Sequence, residues 1–574
     1  MSINKNWKIL SEISQEFKNK HSEYTDLVLQ LLWNRGLKEK SEIEKFFNPD
    51  FDTDIYNPFL FLQMERAVQV IIKYIKTGEK ICIFGDYDVD GATSTAILYE
   101  VLTLFKGDIN FYIPDRVNEG YGLNKEAIKE IAENGTKLII TVDNGIRNKE
   151  EVAYTKELGL EIIVTDHHES PETREELPDC LIINPMVGGE TYPFKKLSGA
   201  GVAYKLARAL IEKSKLEENN KKILEYRLFD LVAIGTVADC MSLVGENRTL
   251  VKKGLGALNK TSRVGLKKLI EISGINSDKN IDAWNIGFQI GPRLNAAGRM
   301  DTAHDAFRLL ITKDSEEAAK LAQELNQKNI ERQKQTEEIM KEIEDQINKD
   351  ESILIGISPD KNPWNEGIVG LASGRISDKY YKPSLIITKN GDDFKGSGRS
   401  IEELNIIEVI EEVSDLLEKY GGHAGACGFS LKKENLDKFL EKVQEIVKKK
   451  LEGKNLEPKI KIEKELDLED ISETTIDQIN MFAPFGQDND QPKFVSKNCK
   501  ILSIMNMGAE SQHVKFRINS GNSNTFSALG FNQTKKWENI KIGDTTDIVY
   551  YLDLNEFNGR SEVQMKIIDI KQHE

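Results

Sequence analysis

The sequence predicts an α/β protein in which a parallel sheet is followed by a long helix, a second and smaller α/β domain, and a C-terminal all-β barrel. Three observations carry this prediction. Apolar runs of strand length alternate with helical patterns over residues 80–185, residues 315–349 contain no Gly or Pro, and short apolar runs fill the chain beyond residue 456. Strands that alternate with helices are typical of parallel sheets, whereas closely spaced short strands are typical of small barrels.

Residues 1–60 are predicted to form a helical segment, and residues 61–310 the domain that contains the parallel sheet. An amphipathic helix over "ERAVQVIIKYIKTGEK" leads into the first strand of this sheet. The predicted strands are "KICIFGD", "DINFYIPDR", "TKLIITVDNG", "LEIIVTDHH" and "CLIINP". Helical patterns between these runs predict a doubly wound sheet, and the chain from about residue 200 to 310 is expected to be mainly helical.

The region after residue 310 divides into three predicted parts. Residues 311–350 are expected to form one connecting helix, roughly 50 Å long over 315–349 at 1.5 Å per residue. Residues 351–452 follow as the second α/β domain, with strands near "SILIGIS", "PSLIIT" and "DFKGSGRS". A polar linker near 451–458 then leads to residues 456–574, where runs such as "HVKFRINS" and "DIVYYLDLNEF" predict the barrel.

Composition limits the compartment and the partners. The 574 residues carry a formal net charge of −16, so any binding of nucleic acid depends on a local basic cleft or on metal ions. The five cysteines form no C-x-x-C pair, which indicates a reducing compartment and no structural zinc. The N-terminus lacks an apolar signal core, and no run of 18 apolar residues occurs. We therefore expect a cytoplasmic protein without a membrane partner.

The first strand ends in three aspartates at alternate positions, Asp86, Asp88 and Asp90, in "KICIFGDYDVDGATSTAI". A single aspartate after a strand is most often a helix N-cap. Three carboxylates packed this closely raise one another's pKa and destabilise the fold unless a cation neutralises them. Alternate positions in an extended segment point to a common side, which predicts a shared metal ion.

The strand "LEIIVTDHH" supplies a different type of ligand at the same edge of the sheet. Asp166 is followed there by the adjacent histidines His167 and His168. In isolation, either histidine reads equally well as a capping or surface residue. Asp143 and the aspartate triad also follow strands, and ligands bind at this edge of open α/β sheets. Carboxylates with one or two imidazoles and no thiolate suit Mn(II) or Mg(II), and two bridged ions would activate water for phosphoryl transfer.

These motifs resemble those of a known superfamily. "DYDVDG", "TVDNGI", "TDHH" and "GTVADC", in this order, are similar to the motifs of the DHH phosphoesterases. "GPRLNAAGRMDTA", "KGSGRS" and "GGHAGACGF" resemble the further motifs of one branch, the RecJ single-stranded-DNA-specific exonucleases, and "MFAPFGQDNDQPKF" resembles the start of that branch's oligonucleotide-binding (OB) barrel. The match covers residues 75–430, and departures at Val89 and Ser242 leave every expected ligand in place.

The resemblance implies a fold and a set of metal-binding residues. The fold is a DHH domain, a connecting helix, a DHH-associated substrate-binding domain and an OB-fold domain that binds nucleic acid. The implied ligands of two Mn(II) or Mg(II) ions are Asp88, Asp90, Asp143, His167 and Asp239. Asp143 would bridge the ions. Asp86, Asp166 and His168 are implied to be catalytic residues beside them, and His168 would either orient His167 or stabilise the leaving oxygen.

Basic and small residues are implied to bind the substrate. Arg116, Ser397 and Arg399 would grip a 5′-terminal phosphate, although from the residues alone Arg116 reads equally well as a surface ion pair and "KGSGRS" as a turn. His423 is implied as a further substrate contact, with a core histidine as the alternative. The resemblance adds Asn295 and Arg299 as contacts to the active site or the DNA backbone.

Together these features predict a 5′-to-3′ exonuclease that degrades single-stranded DNA to mononucleotides in DNA repair and recombination. The implied partners are single-stranded DNA, a RecQ-type helicase and a single-strand-binding protein, and the protein is expected to be a monomer. The barrel would hold the strand by stacking and backbone charge. The alternatives are a DHH-family phosphodiesterase of short oligonucleotides or cyclic dinucleotides, and an inactive DNA-binding scaffold; the intact acidic and histidine residues argue against the scaffold.

Overall fold

The structure is a computed structural model that describes residues 5–116, 118–276, 279–521, 524–557 and 560–573. These residues form two compact units. One unit runs from Asp50 to Lys454, and the other combines the described residues up to Pro49 with those from Asn455 onward. The five-part domain division stays a prediction, but the N-terminal helices share a hydrophobic core with the barrel, as Phe17 and Phe482 illustrate.

The helices and strands are numbered in chain order. The helices are α1 (Gln15–Lys20), α2 (Asp26–Asn34), α3 (Lys40–Phe47), α4 (Phe51–Asp54), α5 (Met64–Thr77), α6 (Val89–Leu104), α7 (Lys125–Glu133), α8 (Lys149–Glu157), α9 (Gly199–Lys213), α10 (Glu218–Ala238), α11 (Gly245–Leu258), α12 (Val264–Ile272), α13 (Ala283–Asn285), α14 (Gly291–Met300), α15 (His304–Ile311), α16 (Ser315–Gln346), α17 (Glu366–Tyr380), α18 (Ile406–Glu411), α19 (Leu436–Leu451) and α20 (Glu473–Asn480). The strands are β1 (Asn6–Ile9), β2 (Ile81–Phe84), β3 (Ile109–Tyr112), β4 (Leu138–Val142), β5 (Glu161–Thr165), β6 (Leu181–Ile183), β7 (Leu354–Ile357), β8 (Ser384–Asn390), β9 (Asp393–Arg399), β10 (Lys419–His423), β11 (Ala426–Leu431), β12 (Lys459–Ile462), β13 (Lys464–Glu465), β14 (Phe494–Met507), β15 (His513–Asn519), β16 (Phe526–Gly530), β17 (Thr545–Phe557) and β18 (Arg560–Gln572).

The first sheet has the strand order β3-β2-β4-β5-β6, and its strands are all parallel, as predicted. Both of its faces are covered. Ile81 and Ile83 of β2 belong to a core that includes residues of α6 and α9, whereas Cys82 and Phe84 belong to a core with residues of α7 and α8. This burial on two sides explains why the strand is apolar at every position.

Helices occupy the chain between Gly199 and Ile311, and a π-helical turn at Ile286–Ile290 interrupts them. The predicted connecting helix is α16, a helix of 32 residues that packs against α12, α14 and α17. The sheet that follows has the order β10-β11-β9-β8-β7, in which only β7 and β8 run parallel. The second α/β domain therefore contains a mixed sheet.

The barrel is closed by strand pairing. β14 pairs with both β15 and β17, and β18 joins β17 to β16, which pairs with β15. The result is the five-stranded closed barrel expected of an OB-like domain. Across the described ranges, every helix is too short or too polar to cross a membrane.

Candidate active site

The polar residues predicted at the edge of the parallel sheet follow three neighbouring strands. β2 lies beside β4, and β4 lies beside β5. Asp86 follows β2, Asp143 follows β4, and Asp166 begins the Asp-His-His run directly after β5. Because parallel strands end at the same edge, these side chains meet there.

The three aspartates after β2 have different local roles. Asp88 is the N-cap of α6, where its Oδ1 accepts a hydrogen bond of 3.0 Å from the Gly91 N–H. Asp90 lies within the first turn, and its two oxygens accept hydrogen bonds from the backbone N–H groups of Gly199, at 2.6 Å, and Ala200, at 2.9 Å. The expectation that all three lie in one extended segment is wrong, because the extended conformation ends at Asp88 and the helix begins at Val89.

Three groups of possible ligand atoms meet at this edge, and the atoms of each group lie within 4.8 Å of one another. The groups are Asp86, Asp88 and Asp143; Asp90, His167 and Asp239; and Asp143, His167 and His168. Asp143 Oδ1 lies 3.0 Å from His167 Nε2. Since Asp143 shares one group with the aspartates and another with the histidines, it has the position that a bridging ligand needs.

The residues at this edge fit divalent cations. The Oδ1 atoms of Asp86 and Asp143 and the Nε2 atom of His167 are buried without a hydrogen-bond partner. Burial and the charge of Asp88 raise the pKa of Asp86 well above its usual range, and burial and the neighbouring aspartates do the same to the pKa of Asp143. Burial and nearby carboxylates, that of Asp90 first, raise the pKa of Asp239 to about 9. A cation relieves such a cluster, and carboxylates with an imidazole are donors for Mn(II) or Mg(II).

The two histidines differ in charge and in exposure. Burial, followed by the charge of His168, lowers the pKa of His167 to about 4, so this ring is neutral and able to bind a cation. Burial alone would lower the pKa of His168, but its hydrogen bond to Asp166 and the surrounding carboxylates raise it to about 9. The His168 side chain is 44% exposed, whereas that of His167 is 7% exposed.

Asp166 holds this pair of histidines in place. Its Oδ1 accepts hydrogen bonds from the backbone N–H groups of His167, at 2.7 Å, and His168, at 3.1 Å, and lies 2.8 Å from His168 Nδ1. Its Oδ2 accepts a bond of 3.0 Å from the Ile146 N–H. Burial alone would raise the pKa of Asp166, but the hydrogen bond and charge of His168 together lower it. Asp166 therefore acts as a positioning residue whose two oxygens are both occupied by the protein.

Asp239 is the C-cap of α10. Its Oδ2 lies 3.6 Å from His167 Nε2. The resemblance implied a metal ligand here, and the structure places Asp239 at a helix end and beside His167.

Tyr121 is a residue of this site that the sequence analysis missed. Its hydroxyl donates a hydrogen bond of 2.9 Å to the Asp143 carbonyl and lies 3.0 Å from His168 Nδ1. The signal was an aromatic residue in "EGYGLN" between two glycines, Gly120 and Gly122, which both have positive φ. Glycine adopts a positive φ without steric strain, so the chain can turn on both sides of Tyr121.

The three residues predicted to bind the 5′ phosphate, Arg116, Ser397 and Arg399, come from two distant parts of the chain. The Arg399 Nη1 donates a hydrogen bond of 3.1 Å to the Ser397 hydroxyl, and both residues belong to β9. Arg116, after β3, stacks its guanidinium 4.8 Å from the centroid of the Tyr87 ring. Burial lowers the pKa of Arg399, and the positive charge of Arg116 lowers it further.

The remaining predicted contacts are Arg299, Asn295 and His423. Burial and then the charge of Arg116 lower the pKa of Arg299 to about 9. The Asn295 Oδ1 accepts a hydrogen bond of 3.2 Å from the Val89 N–H, which ties α14 to the start of α6. His423 is exposed at the end of β10, two strands from Arg399 in the mixed sheet.

Three family profiles match consecutive parts of the chain. The profile described as "DHH family, N-terminal domain" matches residues 80–236, "DHHA1 domain" matches 350–449, and "RecJ OB domain" matches 462–569.

Curated relatives match nearly the whole chain. A protein of Bacillus subtilis named "Single-stranded-DNA-specific exonuclease RecJ" is 39% identical over 95% of this chain and 68% of its own length. A protein of the same name from Salmonella typhimurium is 33% identical over 95% of both chains.

Solved structures show the same fold. The crystal structure of RecJ in complex with Mn2+ from Thermus thermophilus has a TM-score of 0.85 at 27% identity and covers 99% of this chain and 80% of its own. A structure of exonuclease RecJ bound to manganese has a TM-score of 0.60 at 33% identity and covers 69% of this chain and 98% of its own.

Proposed function

Because the chain belongs to the RecJ family of single-stranded-DNA-specific exonucleases, we propose that it hydrolyses single-stranded DNA from the 5′ end and releases mononucleotides. One observation carries the proposal: a cation-binding group centred on Asp143 and His167 lies in the same compact unit as the arginines Arg116 and Arg399. A nuclease needs the first group for chemistry and the second for holding phosphate.

We assign the five carboxylate and imidazole ligands implied by the sequence to two divalent cations, Mn(II) or Mg(II). Asp143 would be the ligand that both cations share, since it belongs to one group of possible ligands with Asp86 and Asp88 and to another with His167 and His168. Bound there, the cations would supply an activated water and neutralise negative charge that develops on the phosphate. Asp166 fixes the backbone of His167 and the ring of His168, and Tyr121 fixes the backbone of Asp143.

Residues of the chain also account for degradation that starts at the 5′ end. Arg399 and Ser397 offer a guanidinium and a hydroxyl side by side, and Arg116 adds a second guanidinium. A phosphate at the 5′ end has an additional negative charge, which internal phosphodiesters lack, and paired guanidinium groups favour it. Anchoring this end would place the first phosphodiester at the cations.

The family resemblance supports most of the wider parts of the proposal. These are a role in DNA repair and recombination, a RecQ-type helicase and a single-strand-binding protein as partners, a monomeric state, and the cytoplasm as compartment. The five cysteines form no disulfide, which agrees with a reducing compartment.

The deciding experiment compares end-labelled single-stranded DNA, duplex DNA and a dinucleotide in Mn(II), Mg(II) or EDTA. We expect stepwise shortening of the single strand from its 5′ end with either metal ion, little cleavage of the blunt duplex, and none in EDTA. Cleavage of the dinucleotide alone would instead favour the phosphodiesterase alternative.

The 5′ polarity predicts a selective defect in Arg399→Lys. A lysine keeps the charge but loses the two-pronged hydrogen bonding of a guanidinium. We expect kcat/KM on 5′-phosphorylated strands to fall about tenfold, the cost of one or two charge-assisted hydrogen bonds, with a smaller loss on 5′-hydroxyl strands. Lys395→Gln is the control on the same strand, because Lys395 is paired with Glu366. An equal loss on both substrates would contradict the assignment.

The two-unit architecture predicts that residues 50–454 carry the chemistry without the barrel. A fragment with these bounds keeps its own hydrophobic cores, since the N-terminal helices belong to the other unit. We expect it to hydrolyse short oligonucleotides in Mn(II) but to bind long strands more weakly, because an OB-like barrel adds stacking and backbone contacts. A folded fragment without activity on short oligonucleotides would mean that the barrel unit completes the active site.

A further inference from the structure

Five arginines of the 50–454 unit are linked by like-charge interactions: in addition to burial, the charges of Arg116, Arg332 and Arg399 lower the pKa of Arg299, and the charge of Arg375 lowers the pKa of Arg332. Among the described residues, none of the five forms an ion pair with a carboxylate. They come from five different elements: Arg116 after β3, Arg299 in α14, Arg332 in α16, Arg375 in α17 and Arg399 in β9. In the part of the chain that the structure describes, other arginines form the ion pairs with carboxylates. Like charges gathered in this way destabilise a fold unless an anion binds among them.

Arg332 is the member of this cluster with an unused buried donor. Its Nη2 donates a hydrogen bond of 3.0 Å to the Asn329 Oδ1 on the same helix, while its Nε is buried without a partner. Burial and then the positive charge of Arg375 lower the pKa of Arg332. A buried guanidinium N–H without an acceptor costs free energy, which an anionic ligand would recover.

Arg299 interacts through its charge both with Arg332 and with Arg116 and Arg399, the arginines proposed to bind the 5′ phosphate. Its Nη1 donates a hydrogen bond of 3.1 Å to the Gly367 carbonyl in the first turn of α17, so α14 and α17 meet at this residue. Burial lowers the pKa of Arg299, and the charges of Arg116, Arg332 and Arg399 lower it further.

Helix α17 also passes close to Ser397 and Arg399. A Cβ atom added at Gly370 would lie 3.1 Å from the Ser397 hydroxyl and 3.4 Å from the Arg399 Nη2. Helices α14, α16 and α17 pack against one another in pairs. The arginines therefore form a series that starts at Arg399, continues through Arg299 and ends at Arg332 and Arg375.

We propose that Arg332, assisted by Arg375, binds an internal phosphate of the DNA strand, downstream of the 5′ phosphate held by Arg116 and Arg399. This inference rests on the proposed function. A single phosphate can pair with the arginines at only one end of this series, whereas a DNA strand carries a phosphate at every nucleotide. The site thus makes the enzyme prefer strands over dinucleotides, and it does so without reading bases.

The test compares Arg332→Gln with Lys334→Gln, which removes the same charge from the same helix at an exposed residue paired with Glu338. Both variants and the unmodified protein are assayed in Mn(II) on a 5′-phosphorylated strand and on strands with one neutral methylphosphonate linkage at successive positions. We expect Arg332→Gln to lower kcat/KM about tenfold on the normal strand, as for a lost charge-assisted hydrogen bond. The slope of log(kcat/KM) against log[salt] should become shallower by about 0.7, the value for one phosphate of a single strand.

The decisive result is the methylphosphonate series. At one linkage, the neutral substitution should slow the unmodified protein but cause no further loss in Arg332→Gln, since the contact is already gone. The proposal would be overturned if the loss caused by the neutral linkage and the loss caused by Arg332→Gln multiply at every linkage position. It would also be overturned if Arg332→Gln lowers kcat/KM no more than Lys334→Gln does. Thermal unfolding of Arg332→Gln separates misfolding from lost binding, and Arg332→Lys should recover part of the activity. Failure of the unmodified protein to degrade the normal strand would defeat the proposed function instead.

Discussion

Asp143→Asn is expected to abolish nearly all nuclease activity while making the metal-free protein more stable. Asn keeps the size of the side chain and loses the charge that would bridge two cations. A loss of several kcal/mol of transition-state stabilisation corresponds to about a thousandfold in turnover. Stability should rise because the buried carboxylate is opposed by its neighbours, which raise its pKa.

Asn is the better substitution at this position because of the backbone. Asp143 has a φ of 65°, in the left-handed region that Asn tolerates and Ala does not. Asp143→Ala should therefore show the same loss of activity with about 1 kcal/mol less stability than Asp143→Asn. The measurements are exonuclease turnover in Mn(II), calorimetric Mn(II) binding, and thermal unfolding in EDTA. Near-normal turnover in folded Asp143→Asn would defeat the proposal that Asp143 bridges the cations.

Asp166→Asn should destabilise the protein strongly and impair catalysis indirectly. The carboxylate accepts hydrogen bonds from three backbone N–H groups, and an Asn amide would turn a donor toward one of them. A buried donor left without an acceptor, together with the lost interaction with His168, should lower the free energy of unfolding by about 3 kcal/mol. Turnover should fall about 10-fold to 100-fold, as when a residue that orients the surroundings of a metal site is removed.

Asp179→Asn is the matched control, since Asp179 is exposed and forms an ion pair with the Lys156 side chain. Its effect on stability should stay within about 0.5 kcal/mol. The experiment measures urea unfolding and Mn(II) affinity for both variants. If Asp166→Asn unfolds like the unmodified protein and binds Mn(II) equally well, then Asp166 is not the residue that positions the histidines.

Prediction from the sequence was most successful for strands whose apolar pattern matches their burial in the fold. The runs that became β2, β4 and β5 are apolar at nearly every position and end in charged residues, so the sheet and its polar edge could both be predicted. The different orientation of Asp90 was not predictable from spacing, because it depends on α6 starting at Val89 and on two N–H groups of α9.

Other features depend on contacts between residues far apart in sequence. Tyr121 contacts Asp143 from a loop. The cationic surroundings of Arg332 form only when α14, α16 and α17 pack together. A guanidinium on a long polar helix looks like any solvated residue in a sequence. Its burial and its cationic neighbours appear only in the folded chain.

The path of the chain between the two units sets the order in which a newly synthesised molecule can fold. Strand β1 pairs in parallel with β12, and Asn6 is the partner of Lys459. The first segment leaves the ribosome early, yet its partner strand is made roughly 450 residues later. At about 5–20 residues per second, the apolar N-terminal helices wait roughly 20–90 s. The unit from Asp50 to Lys454 has been synthesised completely before then, so we expect it to fold first. A chain released before residue 455 would therefore combine this folded unit with apolar helices that lack the rest of their core, and such exposed apolar surface favours aggregation.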